Sequence, residues 1–174
     1  MLARGAKVLG VKSSPSDYKA DALVTEGLDL TPSTFAPLAS TDKALLGEKN
    51  EAVTWNGVAL RYENAMAMKL NFKADASLTL KVTINGRATT YALSELAADG
   101  NGNYTVYFRG ILATEYADVV TAALYDGDVQ VGQSVTYSVN SYVYSMQESA
   151  DAALAALVQA TYNYGASAED YAGK

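Results

Sequence analysis

A period-two alternation of apolar and polar side chains is the feature that most constrains the fold of this chain. From residue 66 to residue 73, and again from residue 77 to residue 84, every second side chain is apolar. Because successive side chains of a strand point to opposite faces of a sheet, this pattern is typical of strands with one buried face. The side chains predicted to be buried are Met66, Met68, Leu70, Phe72, Leu78, Leu80, Val82, Ile84, Tyr104, Val106 and Phe108.

Short turn signals separate these strands. Asn85-Gly86 predicts a two-residue hairpin, because both central residues of a type I′ turn need positive φ. Asn56-Gly57 predicts another hairpin with arms at residues 53–55 and 58–62, and Asp126-Gly127 predicts a further turn. The whole pattern predicts an antiparallel β-sandwich of about seven or eight strands over residues 51–139.

The last part of the chain, residues 140–174, changes to helical spacing. Asn140 is expected to cap a first short helix, and Ser149 a second one. Gly165 either ends the second helix or lets another backbone come close. The expected fold is therefore mostly β with α (α+β), an antiparallel β-sandwich capped by a C-terminal helical hairpin that packs on it. The apolar stripe predicted to be buried against the strands consists of Leu154, Leu157, Val158 and Tyr162.

The first fifty residues have a different character. Residues 1–12 are predicted to form a helical stub, and their Arg4-Gly5-Ala6 echoes Tyr164-Gly165-Ala166 near the other end, as if the stub were the tail of a preceding unit. Residues 13–50 contain all three prolines and are predicted to be a connector, in which residues 42–46 could form one helical turn.

Composition excludes several classes of function. The 174 residues correspond to about one domain, and they contain neither cysteine nor histidine. Thiol nucleophiles, imidazole bases and thiolate or imidazole metal sites are therefore absent, and we expect no enzyme, no cofactor and no metal site. The net charge of −6, with no basic stripe on any predicted element, argues against nucleic acid as a partner. The longest apolar run, residues 152–158, is too short to span a membrane.

Two features of the sequence are candidate binding sites. Asp99, Asn101 and Asn103 match the first ligand positions of a calcium loop, but Tyr104 follows where that loop requires glycine, so an ordinary loop is favoured. Aromatic rings can serve as platforms for sugars. The candidates for such a platform are Trp55, predicted at an exposed hairpin tip, and the neighbouring Tyr62.

Several segments of the chain resemble a known module. The similarity extends over roughly residues 51–171. The segments that carry it are Trp55 to Tyr62, Met66 to Phe72, Leu124-Tyr125-Asp126-Gly127, Thr136-Tyr137-Ser138-Val139 and Tyr162-Asn163-Tyr164-Gly165-Ala166. Together they look like a helix-capped, β-sandwich-like module that recurs in large surface proteins of anaerobic Gram-positive bacteria, many from the gut.

The resemblance implies a setting and a role, and it carries over no catalytic residues. It implies a non-catalytic, extracellular or cell-surface module, with a structural or spacer role beside neighbouring domains of the same polypeptide. The alternative is a carbohydrate-binding or adhesion module that uses exposed aromatic residues, with a glycan as its partner. On this reading, the signal and anchor are expected outside residues 1–174.

Overall fold

The computed structural model describes residues 44–62 and 65–173, which form two antiparallel sheets and two helices. Short 3-10 turns lie at Leu93–Glu95 and Ala113–Glu115. The strands are β1 (Ala44–Leu46), β2 (Val53–Tyr62), β3 (Met66–Ala74), β4 (Thr79–Ile84), β5 (Arg87–Ala92), β6 (Asn103–Arg109), β7 (Val120–Asp126) and β8 (Val129–Tyr137). The helices are α1 (Val139–Met146) and α2 (Ala152–Ala172).

The five-stranded sheet has the order β1-β8-β7-β4-β5, and the three-stranded sheet has the order β2-β3-β6. Their apolar faces contribute to one continuous hydrophobic core. The sheets do not close into a complete sandwich, but the predicted α+β class is confirmed. Neither of the two helices among residues 44–62 and 65–173 is long and apolar enough to cross a membrane.

The predicted alternation is confirmed in three strands. In β3 the side chains of Met68, Leu70 and Phe72 are at most 1% exposed, and in β4 the same holds for Leu80 and Val82. In β6 the predicted aromatic and aliphatic side chains are buried in the same way. Period-two alternation is a local property of each strand, so it can be read from the sequence without knowing which strands are paired.

The Asn85-Gly86 turn is also confirmed. Both residues have positive φ, 48° and 72°, and the turn joins β4 to β5 with Ile84 opposite Arg87. These angles are those that a two-residue type I′ hairpin requires.

The hairpin predicted at Asn56-Gly57 is wrong. Residues 53–62 form one strand that pairs with β3 along its whole length, and the register shifts between Trp55 and Gly57. Asn56 is the extra residue of a β-bulge, and neither residue of the pair adopts positive φ. An unbroken β2 gives the long strand β3 a full ladder of backbone hydrogen bonds, which a three-residue hairpin arm could not provide.

Both helix caps differ from the prediction. Ser138, rather than Asn140, caps α1: its hydroxyl accepts from the Ser141 N–H at 2.9 Å. Asp151 rather than Ser149 caps α2, because its carboxylate accepts from two N–H groups of the first turn. In each case the oxygen that reaches the unpaired N–H groups of the first turn decides the cap.

The face that α2 buries is shifted from the predicted stripe. Val158, Thr161 and Gly165 are buried, whereas Leu154, Leu157 and Tyr162 are only half-buried. The helix packs mainly on α1 and on the Ala113–Glu115 turn rather than flat on a sheet.

The region before residue 51 enters the fold in one place. Ala44–Leu46 is a strand, where a helical turn was predicted, and it pairs with Ser134, Val135 and Thr136 of β8. The five-stranded sheet therefore begins inside the predicted connector. The predicted stub at residues 1–12 and the connector up to residue 43 lie outside the described residues.

Candidate functional site

Trp55, the first predicted platform residue, lies on the inner side of the three-stranded sheet. Its ring is half-buried and lies 5.3 Å from that of Phe72, centroid to centroid. Its indole N–H donates to the Gln133 carbonyl on β8 at 2.7 Å, which ties the two sheets together. Phe72 in turn stacks on Tyr104 at 5.7 Å, so the indole continues a row of core rings. The exposed hairpin tip that motivated the platform is not formed, and ligand binding by Trp55 stays a prediction.

Tyr62, the second predicted platform residue, lies at the other end of β2, where the sheet meets the helices. Its hydroxyl lies 3.0 Å from Thr161 Oγ1, and Thr161 donates its own hydroxyl hydrogen to the Leu157 carbonyl at 2.8 Å. Tyr62 must therefore be the donor to Thr161. Burial raises the pKa of Tyr62 to about 12, so the phenol keeps the proton that this hydrogen bond needs.

Trp55 and Tyr62 do not form one site. They lie seven positions apart along β2, roughly 20 Å at the rise of a strand. Each is engaged in packing at its own end of the strand. A single aromatic platform built from these two rings is therefore not present.

Tyr116 explains the glycine in the C-terminal helix. A Cβ added to Gly165 would lie 2.9 Å from Tyr116 Cδ2 and 3.1 Å from Tyr116 Cβ, closer than ordinary contacts. The Tyr164 ring packs edge-on against Tyr116 at 6.1 Å. Of the two roles considered for Gly165, close approach is the one observed, and the approaching group is a side chain rather than a backbone.

Glu115 is a buried carboxylate, 5% exposed, between the β4–β5 turn and the start of β7. Arg87 Nη2 donates to its two oxygens at 2.7 and 2.6 Å, and the Leu112 N–H donates at 2.9 Å. Desolvation acts to raise the pKa of Glu115, but the hydrogen bonds from Leu112, Arg87 and Asn85 outweigh it and hold the pKa below its ordinary value. With its oxygens satisfied in this way, Glu115 acts as a structural clamp.

The Asp99 loop has the geometry of an ordinary turn. The Asp99 carboxylate accepts from the backbone N–H groups of Asn101 and Asn103, both at 2.8 Å, and from the Asn103 side chain. These bonds, with that from the Asn103 side chain foremost, lower the pKa of Asp99. Among the described residues no group of three or more acidic side chains is arranged to hold a metal ion.

An open polar cavity of about 340 Å³ lies where the β1–β2 loop meets β8. Two glycines and four residues with polar or charged side chains line it, and neither Trp55 nor Tyr62 is among them. The lining residues are Gly47, Glu48, Lys49, Asn50, Gln130 and Gly132.

The outer side of the three-stranded sheet has the most distinctive chemistry in the described residues. Four positively charged side chains point outward from its strands, around a single outward tyrosine, Tyr107. None of the three strands contains an aspartate or a glutamate. We name this surface the basic face; its charged residues are Arg61, Lys69, Lys73 and Arg109.

Strand pairing sets the geometry of the basic face. Ala67 lies between Arg61 and Arg109, and in the next row Lys69 lies beside Tyr107. Arg61 reaches across the central strand, where its Nη1 donates to the Tyr107 hydroxyl at 3.1 Å. The guanidinium carbons of Arg61 and Arg109 lie 5.1 and 5.2 Å from the centre of the Tyr107 ring. Two cations therefore converge on one aromatic ring.

Sequence reasoning missed the basic face. Each strand contributes only one or two of its charges, so no single predicted element shows a basic stripe. The available signal was the complete lack of acidic residues in three predicted strands of a chain with net charge −6. That signal becomes a surface only when the three strands are known to be neighbours.

Comparison of the chain with protein-family models, with curated proteins and with solved structures finds no match. The class that the structure itself defines is an α+β protein with two antiparallel sheets and a long C-terminal helix. The resemblance to a bacterial surface module stays a prediction from the sequence.

Proposed function

We propose that this protein is a non-catalytic structural module of an extracellular or cell-surface protein, which holds neighbouring domains of the same polypeptide at a fixed separation. The observation that supports the proposal is the way α2 is fastened to the rest of the fold. Thr161 is hydrogen-bonded to Tyr62 of β2, and Gly165 lies against Tyr116. The sheets and the C-terminal helix thereby form one mechanical unit.

A spacer needs this kind of attachment. A helix that is held only by exposed apolar contacts can swing or detach, and the distance between the chain ends then varies. Here the contacts on α2 include a part-buried hydroxyl pair and a close fit of a ring against glycine, and both depend on orientation. The long helix thus has a fixed direction relative to β2.

Single-molecule force spectroscopy on the full chain, held at its two ends, tests the structural role. A spacer should unfold in one event in which α2 and the sheets give way together. A separate first event at low force, with the contour length of α2 alone, would contradict the proposal. The cell-surface setting is tested separately, by antibody labelling of intact cells of the source organism.

The carbohydrate-binding alternative that uses Trp55 is tested by a glycan array with wild-type protein and Trp55→Phe. This variant keeps an aromatic ring at the position, but it removes the pyrrole part of the indole together with the N–H that donates to the Gln133 carbonyl. Saturable binding of a neutral glycan that the substitution reduces would favour the alternative over a purely structural role.

A further inference from the structure

We propose that β5 is the edge through which two copies of this chain pair, strand against strand, into a symmetric dimer. This inference goes beyond the structural role, because it links separate polypeptides side by side. β5 is the last strand of the five-stranded sheet, and among residues 44–62 and 65–173 no strand pairs with its outer edge. Its residues from Arg87 to Thr90 are exposed. An edge of this kind offers backbone N–H and C=O groups to another strand.

The pairing of β5 with β4 shows which backbone groups face the open edge. One step beyond the pair of Thr79 with Ala92, the Leu93 N–H donates to the Leu78 carbonyl at 3.1 Å. Hydrogen-bonded and non-bonded pairs alternate along an antiparallel ladder. Every second residue back from Leu93 is therefore bonded to β4, and the others direct their N–H groups outward. These others are Ala88, Thr90 and Ala92.

The other three sheet edges have features that hinder the addition of a strand. β1 has only three residues, and β2 contains the bulge at Asn56. The Asp99 loop folds back on the start of β6, where the Asp99 N–H donates to the Asn103 carbonyl at 2.8 Å. β5 has six residues in unbroken register with β4, and it contains no proline, glycine or lysine. It is thus the edge best suited to pair with another strand.

The sequence of β5 is complementary to itself. Residues that face each other in a two-fold antiparallel pair lie on the same face of the sheet, and the register that uses all three outward N–H groups is centred on Thr90. Thr90 then lies opposite its own counterpart in the second copy. The other pairs are Ala88 with Ala92 and Thr89 with Tyr91. Pairs of two threonines, and of a β-branched residue with an aromatic one, are among those that stabilise sheets.

No like charges meet at this contact. The only charged residue of β5 is Arg87, whose Nη2 lies 2.6 Å from Glu115 Oε2 of the same chain. Lys81 faces Thr90 from β4, but its ammonium lies 5.7 Å from the centre of the Tyr125 ring, on the β7 side and away from the edge. Each copy has a net charge of −6, so the copies repel each other at longer range, and added salt screens that repulsion.

Sedimentation velocity of the full chain measures the association. One pair of strands is a small interface, so we expect a weak dimer with a Kd between about 1 μM and 1 mM. The dimer should tighten as salt is raised from a low to a moderate concentration. Because each copy has one β5, the contact closes at two copies. A chain that stays monomeric up to about 1 mM, or that forms open-ended larger species, overturns the proposal.

Hydrogen exchange, followed residue by residue by NMR at concentrations below and above the Kd, locates the contact. The amides of Ala88, Thr90 and Ala92 should exchange fast in the monomer and slowly in the dimer. Those of Thr89 and Tyr91, which are bonded to β4, should be protected in both states. Protection of Thr90 already in the monomer would mean that another segment of the same chain covers the edge, and the proposal would then be wrong.

Opposite charges at Thr90 test the register. Thr90→Lys and Thr90→Glu should each weaken dimerisation by about tenfold or more, because each places two like charges face to face. An equal mixture of the two variants should associate again, because a lysine then faces a glutamate. A mixture that stays monomeric while both variants have lost the dimer contradicts the pairing of Thr90 with its counterpart.

Thr105→Lys is the matched control. It makes the same change at an exposed threonine of β6, the edge strand of the other sheet. This variant should dimerise like the wild type, and loss of the dimer in it overturns the assignment to β5. Thermal melting of each variant as a monomer checks folding, so a failure to associate stays distinct from a failure of the structural proposal.

Discussion

At the scale of single residues, two contacts decide how the C-terminal helix attaches to the body of the protein. One is the close fit of Tyr116 against Gly165, and the other is the hydrogen bond between Tyr62 and Thr161. Both pair a residue of the helix with one that is distant in sequence. Each can be tested by a small change of side chain.

Gly165→Ala should destabilise the protein. In a helix interior this change normally adds about 1 kcal/mol of stability. Here the new methyl group would meet Tyr116 at 2.9 Å, and such overpacking costs about 1–3 kcal/mol. Urea unfolding should therefore show a net loss in the free energy of unfolding.

The same substitution in a Tyr116→Ala background provides the control. With the ring removed, Gly165→Ala should recover its helix-stabilising effect. A gain in stability from Gly165→Ala in the wild-type background would show that the ring moves aside at little cost.

The hydrogen bond between Tyr62 and Thr161 should have a measurable coupling energy. A double-mutant cycle of Tyr62→Phe and Thr161→Val isolates it from the bond that Thr161 makes to Leu157. We expect a coupling of about 0.5–1.5 kcal/mol, the net value of a neutral hydrogen bond. Additive losses within experimental error would mean that the two hydroxyls contribute independently.

At the scale of elements, the buried side of α2 is narrower than its apolar stripe. Val158 is 1% exposed, while Leu157 next to it is half-buried. The turns at both ends of the helix are exposed, so the helix is attached through its middle, from Val158 to Gly165. The two leucines of the helix, Leu154 and Leu157, are thus only half-buried, whereas Val158 is enclosed.

Alanine substitutions at neighbouring positions test this shift. Leu157→Ala should cost less than the loss of about 2–5 kcal/mol that is typical of a fully buried leucine. Val158→Ala should lose more unfolding free energy for each methyl group removed, because the Val158 side chain is almost completely buried. Chemical denaturation of both variants gives the comparison, and a full-range loss for Leu157→Ala would restore the stripe predicted from the sequence.

At the scale of the whole molecule, buried titratable groups couple stability to pH on both the acid and the alkaline side. Desolvation of Glu115 is outweighed by its hydrogen bonds, which lower its pKa, whereas burial raises the pKa values of Tyr62, Tyr116 and Tyr137. The tyrosines lie around the helices, and Glu115 lies at the β4–β5 clamp.

On the acid side, Glu115 should contribute to stability only while it is ionised. Its pKa is lower in the folded state than its ordinary value of 4.5, so the contribution is present above that pH and is lost as pH falls through the folded pKa. The stability difference between wild type and Glu115→Gln should therefore shrink as the solution is acidified. Denaturant titrations over a range of pH measure it, with the exposed Glu51→Gln as a control that shows no such change.

On the alkaline side, Tyr62 should contribute to stability while it is protonated. Its pKa of about 12 lies above the ordinary value of 10.0, so the contribution is present below pH 10.0 and is lost as pH rises through about 12. Tyr62→Phe should flatten the loss of stability in this window. Unchanged alkaline unfolding in the variant would assign that loss to the other tyrosines.

The sequence by itself determined the fold class, the buried faces of β3, β4 and β6 and the Asn85-Gly86 turn. These are local properties: alternation follows from strand geometry, and a turn of two residues with positive φ needs particular amino acids. The Asn56-Gly57 pair carries the same local signal, but pairing with β3 converted it into a bulge. The local preference of such a pair for a turn is overridden where the chain can form a longer ladder of strand hydrogen bonds instead.

Only the tertiary structure decided which residues act together. Trp55 links the two sheets, and Tyr62 binds the C-terminal helix. Each forms a hydrogen bond to a residue that no sequence pattern places beside it. The basic face depends on the order β2-β3-β6, which brings charges from separate strands into neighbouring rows. The physical reason is that strand pairing and helix packing join residues that are distant along the chain, and a local pattern carries no information about those distances.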